Sequence, residues 1–244
     1  MKILALETSS NACSAALLTG NLQDFSCIER FEIAPRQHTQ LILPMIDSLL
    51  LEADYSLQQI NALAFSRGPG AFTGVRVATG VTQAIAFGAD LPVAQISSLA
   101  AVAQGIVREH FVKHERQRVL VANDARIGEI YFAAYENDAG EIKLIGQEQV
   151  MRPEGLMSYL EKQQIVPRPA NRCFCAGSGW DAYADSLQSV LELSSDTYAE
   201  SWPHARDVAF LAIREVENST LVNAESVSPV YLRDNVAKKP TAAV

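Results

Sequence analysis

The residues best suited to chemistry lie in four short turns. Gly68-Pro69-Gly70 follows an apolar run and precedes a helical stretch, with Arg67 and Arg76 on either side. Glycine tolerates positive φ, and free backbone N–H groups at a helix start favour anions. A cation in the first helical turn opposes the macrodipole unless an anion or a partner's carboxylate sits nearby. Two readings therefore stand: an anion or partner site, or a plain turn with surface arginines. The block is not a P-loop, because the Gly-Lys-Ser/Thr ending is missing. Glu7-Thr8-Ser9-Ser10 and Asn123-Asp124-Ala125-Arg126 each join two apolar runs and carry a carboxylate. The first lacks the glycine that lets backbone reach a phosphate, and the second has Ala125 and Arg126 where a glycine would help. Gly177-Ser178-Gly179 has the freedom to approach an adenine or ribose, or to act as a strand-to-helix turn. The candidate nucleotide or anion set is thus Glu7, Thr8, Ser9, Arg67, Gly68, Gly70, Arg76, Asp124, Gly177 and Gly179.

Other constellations are thin. Cys13 lies near Ser9 and Ser10 but has no histidine at a fixed spacing, so a nucleophilic dyad is unsupported. His110 and His114 have the i, i+4 spacing of two helical ligands, but their charged neighbours favour a solvated helix end. The four cysteines are too few and scattered for a disulfide framework. Cys173 and Cys175 flank Phe174 and read as small apolar residues on one side of a strand. Arg233, Lys238 and Lys239 form a basic tail that reads as solvated.

The elements that hold these turns repeat. Ile3–Glu7, Cys13–Leu18 and Phe25–Ile33 read as strands joined by tight turns, hence antiparallel. A helix at about 38–53, a strand at Ile60–Phe65, a helix at 73–87, a strand at Leu91–Ile96 and a helix from Ser97 or Ser98 follow. Pro44 is expected to kink the first helix. After the charged break 113–118, strands at Val119–Ala122, Ile130–Glu136 and Ile142–Ile145 precede a helix begun by Pro153. A strand at Cys173–Ala176, a helix at Trp180–Leu191, a strand within 191–198 and a helix over Asp207–Val216 complete the repeat. The last helix carries Val208, Leu211, Ala212 and Glu215 along one stripe. Strands separated by helices add in parallel through right-handed crossovers. The fold class is α/β: two tandem actin/Hsp70-like (RNase H-like) lobes, each a mixed five-stranded sheet flanked by helices. The expected division is an N-terminal lobe over 1–112, a C-terminal lobe over 113–225 and a tail over 226–244. The glycine loop is expected in the first lobe, away from the hairpin turns.

Composition agrees with a globular chain: 48% of its 244 residues are apolar and 20% charged. The net charge of −8 argues against an extended nucleic-acid surface. No apolar run approaches the length of a membrane span or the core of a signal peptide, so a cytoplasmic location without membrane contact is expected. The helix at 73–87 is smooth, with Gly74, Ala78, Gly80 and Ala84, and Gly80 costs about 0.5–1 kcal/mol relative to alanine. In the helix before it, Leu41, Leu43 and Leu51 lie off the main stripe. Two helices with surplus apolar surface suggest an interface.

The blocks LALETSS, RQHTQLILPMIDSLL, SRGPGAFTGVRVATG, PVAQISSLAAVAQG and NDARIGEIYFAAY, with SPVYLRDNVAKK near the end, together resemble the TsaB (YeaZ) family over essentially the whole chain. That resemblance implies a non-catalytic paralogue of the transferase TsaD. It would act in forming N6-threonylcarbamoyladenosine at position 37 of ANN-decoding tRNAs. It further implies pairing with TsaD, or with a second copy when alone, through the helices at 38–53 and 73–87, and contact with the ATPase TsaE and with tRNA through the complex. The interface residues it suggests are His38, Leu41, Met45, Gly74, Ala78, Val81 and Ile85. TsaD-like chains carry a histidine pair for a metal where this chain has Ser98 and Val102, so ATP and a metal belong to the complex and no cofactor is assigned to this chain. The alternatives are a stand-alone ATPase or small-molecule kinase, which the missing glycines disfavour, and a glycoprotease, which the missing ligands disfavour.

Overall fold

The structure is a computed structural model, and it describes residues 1–110, 117–138, 140–167, 173–194 and 196–233. His114, Lys238, Lys239 and most of the expected charged break lie outside the described residues.

The first sheet contains β1 (Lys2–Glu7), β2 (Ala12–Gly20), β3 (Phe25–Ile33), β4 (Ala62–Ser66) and β5 (Val93–Ile96), in the order β3-β2-β1-β4-β5. β1 to β3 pair antiparallel, while β4 and β5 add in parallel. The second sheet contains β6 (Gln117–Arg126), β7 (Glu129–Asp138), β8 (Glu141–Met151), β9 (Cys173–Ala176) and β10 (Asp196–Tyr198), in the order β10-β9-β6-β7-β8. Its pairing repeats the first: antiparallel through β6, β7 and β8, parallel through β9 and β10. The two mixed five-stranded sheets and their flanking helices form the expected two-lobed, actin-like fold.

On the outer face of the first sheet, α1 (His38–Glu52) and α2 (Phe72–Ala89) bury Ile42, Ile46, Leu49 and Ala78 against Leu4, Leu6, Leu63 and Phe65. Each fully buried Leu or Ile contributes about 1.5–3 kcal/mol. α1 runs without interruption through Pro44, which lies on its exposed side. On the second sheet, α4 (Leu156–Lys162), α5 (Gly179–Ala182) and α6 (Ala184–Leu191) cover Leu120, Phe132, Cys173 and Cys175. The single helix expected over Trp180–Leu191 is two, because Tyr183 leaves helical geometry and donates its hydroxyl to Asp124 Oδ1 at 2.9 Å.

The two remaining helices are exchanged. α3 (Ser98–His110) follows the first sheet in sequence, yet Leu99, Val102, Ile106 and Val107 pack on Val119, Val121, Ala133 and Phe174 of the second. α7 (Ala205–Glu217) follows the second sheet, yet Ala205, Val208, Ala209, Ala212 and Ile213 pack on Ile3, Ala5, Ala16 and Ala64 of the first. The stripe expected on α7 is therefore shifted: Ala209 and Ile213 are buried, while Leu211 and Glu215 are only partly so. A cut near residue 112 separates the sheets but not their helices.

Candidate partner interface

The glycine loop does not stand apart from the hairpin turns. Ala71 N–H donates to Ser9 O at 2.7 Å, and Thr8 Oγ1 donates to the Gly74 carbonyl at 2.6 Å. A Cβ on Gly70 would run into the Ser9 carbonyl, and one on Gly74 into the Thr8 carbonyl. Both glycines thus serve close backbone approach between α2 and the β1–β2 turn. We expect Gly74→Ala to cost about 1–3 kcal/mol through overpacking. Gly80, with nothing near its missing Cβ, should instead gain about 0.5–1 kcal/mol as alanine. Thermal denaturation of the two variants checks both signs.

Two backbone donors at this turn are already committed. Ser9 N–H bonds Glu7 Oε1, and Ala12 N–H bonds Ser10 Oγ at 3.1 Å. Glu7 is fully buried, and burial pushes its carboxyl up to about 7 although Ser66 and Ser9 pull it down. The Ser66 hydroxyl is near but not aligned for a bond, and Glu7 Oε2 has no donor among the described residues.

The second lobe repeats this closure. Gly177 and Gly179 lie so close to Ala122 and Asn123 that neither could carry a side chain without a shift. Asp124 N–H donates to Ser178 Oγ at 3.2 Å, and Arg126 N–H to Asp124 Oδ1 at 2.8 Å. Asp124 also pairs with the Arg126 guanidinium at 2.9 Å. The turn then presents carbonyls, not N–H groups: Arg233 Nη2 donates to Ala125 O at 3.1 Å, to Arg126 O at 3.2 Å, and to the Glu129 carboxylate. Arg233 is therefore not a solvated tail residue. It ends a strap that begins on the first lobe, where Ser228 N–H donates to Gln95 Oε1 at 3.0 Å and Val230 N–H to Arg67 O at 2.7 Å. Gly68, at φ +100°, fits under the Val230 carbonyl. Each turn thus uses part of its hydrogen-bonding capacity within the protein.

Of the exposed large apolar side chains, four lie on α1 and α2, while Phe25, Ile33, Ile127, Leu144, Leu193 and Tyr231 lie elsewhere. Leu43 is 50% exposed, Leu51 84%, Phe72 58% and Phe87 77%. On α2 the exposed positions Phe72, Thr73, Arg76, Gly80, Gln83, Ala84 and Phe87 follow helical spacing along one stripe. Several of the expected interface residues face inward. His38 is buried with Nε2 3.0 Å from Ser10 O, and Met45, Gly74 and Ala78 are buried in the first lobe. Leu41, Val81 and Ile85 are partly buried against the same core.

A family model described as "TsaD: tRNA N6-adenosine threonylcarbamoyltransferase" matches residues 31–241. The chain is 40% identical over 242 residues to the tRNA threonylcarbamoyladenosine biosynthesis protein TsaB of Escherichia coli K12, covering 98% of this chain and 97% of that protein. The crystal structure of YeaZ from Pseudomonas aeruginosa matches with a TM-score of 0.82 and 40% identity, covering 95% of this chain and 99% of that one.

The chain belongs to the TsaB family.

A tRNA N6-adenosine threonylcarbamoyltransferase of Symbiobacterium thermophilum is more distant, at 30% identity over 162 residues, or 59% of this chain and 45% of that protein. At the two positions where the resemblance puts the transferase's histidines, this TsaB-family chain has structural residues. Ser98 Oγ donates to the Pro69 carbonyl, and Val102 packs in the second core. No group of three or more metal-ligating side chains occurs among the described residues. No helix among them is long and apolar enough to cross a membrane. Sequence reasoning missed Phe72, Phe87 and Tyr231 on the exposed face. A helical projection of Phe72–Ala89 would have aligned the first two with Arg76.

Proposed function

We propose that this chain is the non-catalytic scaffold of a TsaD-type transferase that forms N6-threonylcarbamoyladenosine at position 37 of ANN-decoding tRNAs. It acts in the cytoplasm, docks on its catalytic paralogue through the outer face of α1 and α2, and pairs with a second copy when alone. A TsaE-like ATPase and tRNA join through the complex, which supplies the ATP and metal. The observation that carries this reading is the pair of helices that expose Leu43, Leu51, Phe72 and Phe87. Large apolar side chains gathered on one face mark an interaction site.

The experiment mixes the purified chain with a TsaD-like transferase and a TsaE-like ATPase, and measures mass and tRNA modification together. Leu51→Glu and Phe87→Glu should each weaken the complex about 30-fold, the scale of a hot-spot residue, and lower tRNA modification in parallel. Met45→Glu tests the core instead, and should unfold the first lobe. Full modification in the absence of this chain would refute the proposal.

A further inference from the structure

Arg76 is held in a way that its own lobe does not require. It lies in the first turns of α2, a segment with no acidic residue and no side-chain cap. There a positive charge opposes the helix dipole. Among the described residues it has no ion pair. Instead its guanidinium carbon sits 3.7 Å from the centre of the Phe72 ring and 5.9 Å from that of Tyr231. Its Nε donates to the Tyr231 hydroxyl at 2.9 Å, across 155 residues of sequence. The strap thus reaches back to fix a side chain on α2. Arg76 and both rings are exposed, and the terminal nitrogens of the fork have no partner in hydrogen-bond geometry among the described residues.

We propose that Arg76 is a pre-organised receptor for a carboxylate of the catalytic paralogue, with Tyr231 as its positioning residue. This rests on docking through α1 and α2. A planar guanidinium stacked on an aromatic ring loses little freedom on binding and matches a carboxylate with two parallel bonds. The surroundings favour a protein over a nucleic acid. The rest of the α2 stripe is Phe72, Thr73, Gly80, Gln83, Ala84 and Phe87, with no second cation, whereas a phosphate backbone calls for several cations together. The occupant is therefore an Asp or Glu of a protein surface that also covers Phe72 and Phe87.

The test measures affinity of the full chain for the purified TsaD-like transferase at several salt concentrations, with each variant's folding checked by thermal melting. Arg76→Gln should weaken binding about 10-fold or more and flatten its salt dependence. Arg76→Lys should recover only part, since it keeps charge but loses the fork. Tyr231→Phe should weaken binding by a smaller factor while leaving the ring in place. If Arg76→Gln binds within twofold of the parent while Phe87→Glu does not bind, the carboxylate site is wrong and docking stands. If Phe87→Glu binds like the parent, the docking face itself is wrong. If Arg76→Gln lowers binding of tRNA to the isolated chain and leaves transferase binding unchanged, the site takes phosphate and the proposal fails.

Discussion

Arg108→Ala should destabilise the protein by about 1–3 kcal/mol, because it strands the buried Asp207 carboxylate while Arg108 itself stays partly in contact with water. Arg108 belongs to α3, which packs on the second sheet, and Asp207 to α7, which packs on the first. Their two parallel bonds, 2.9 Å from Nε to Oδ1 and 3.0 Å from Nη2 to Oδ2, close the crossing of the exchanged helices. Asp207 is 1% exposed, and burial raises its carboxyl despite the guanidinium beside it. Without Arg108 that carboxyl must stay charged and unpaired or take up a proton, and either route costs free energy. Gly105 makes room for that carboxylate, which lies 3.2 Å from where a Cβ would stand. Urea denaturation of Arg108→Ala measures the loss, and a cost below about 1 kcal/mol would show that the bridge is dispensable. A double variant, Arg108→Met with Asp207→Leu, separates charge from packing. It should recover most of the stability, because apolar pairs commonly replace buried ion pairs without loss.

The exchange of α3 and α7 was not legible in the sequence, and the reason is physical. A helical stripe of apolar residues shows that one face is buried, not which sheet receives it. Both sheets offer Ala, Val and Leu, and Ala205, Val208 and Ala212 would satisfy either. Strand order was legible, because tight turns bracket the antiparallel runs and helices separate the parallel ones. β3 and β9 begin and end where alternation and flanking turns place them. The exposed apolar positions of α1 and α2 were legible only as surplus. Leu43 and Leu51 lie off the main stripe and are exposed, but Gly74 and Ala78 are small because Thr8 and the sheet press on them from inside. Contacts such as Arg76 with Tyr231, or Arg233 with Ala125, join segments more than 100 residues apart and leave no local pattern.

Glu7 should make the protein less stable as pH rises from about 4.5 to about 7, and Glu7→Gln should remove most of that dependence. The carboxyl titrates near 4.5 when freely solvated and near 7 in the folded chain, with burial as the largest cause. A raised folded value means that the native state holds the proton more tightly than the unfolded chain. The favourable contribution is complete below 4.5, declines through the interval and is gone above 7. An interval of this width corresponds to about 3 kcal/mol. The substitution keeps the acceptor that receives Ser9 N–H and replaces the unaligned Oε2 with an amide nitrogen beside the Ser66 hydroxyl. Denaturation midpoints of parent and variant between pH 4.5 and 8 decide the matter. Parent and variant should converge at the acid end and separate as pH rises, with the variant the more stable at pH 8. Parallel pH profiles would mean that Glu7 is ionised in the native state throughout, held by groups other than Ser9. Glu7 is fully buried behind the β1–β2 turn and accepts the Ser9 N–H from within. The β1–β2 turn supports α2 through Thr8 and Ser9, and with it the exposed stripe from Phe72 to Phe87 on which the proposed docking depends.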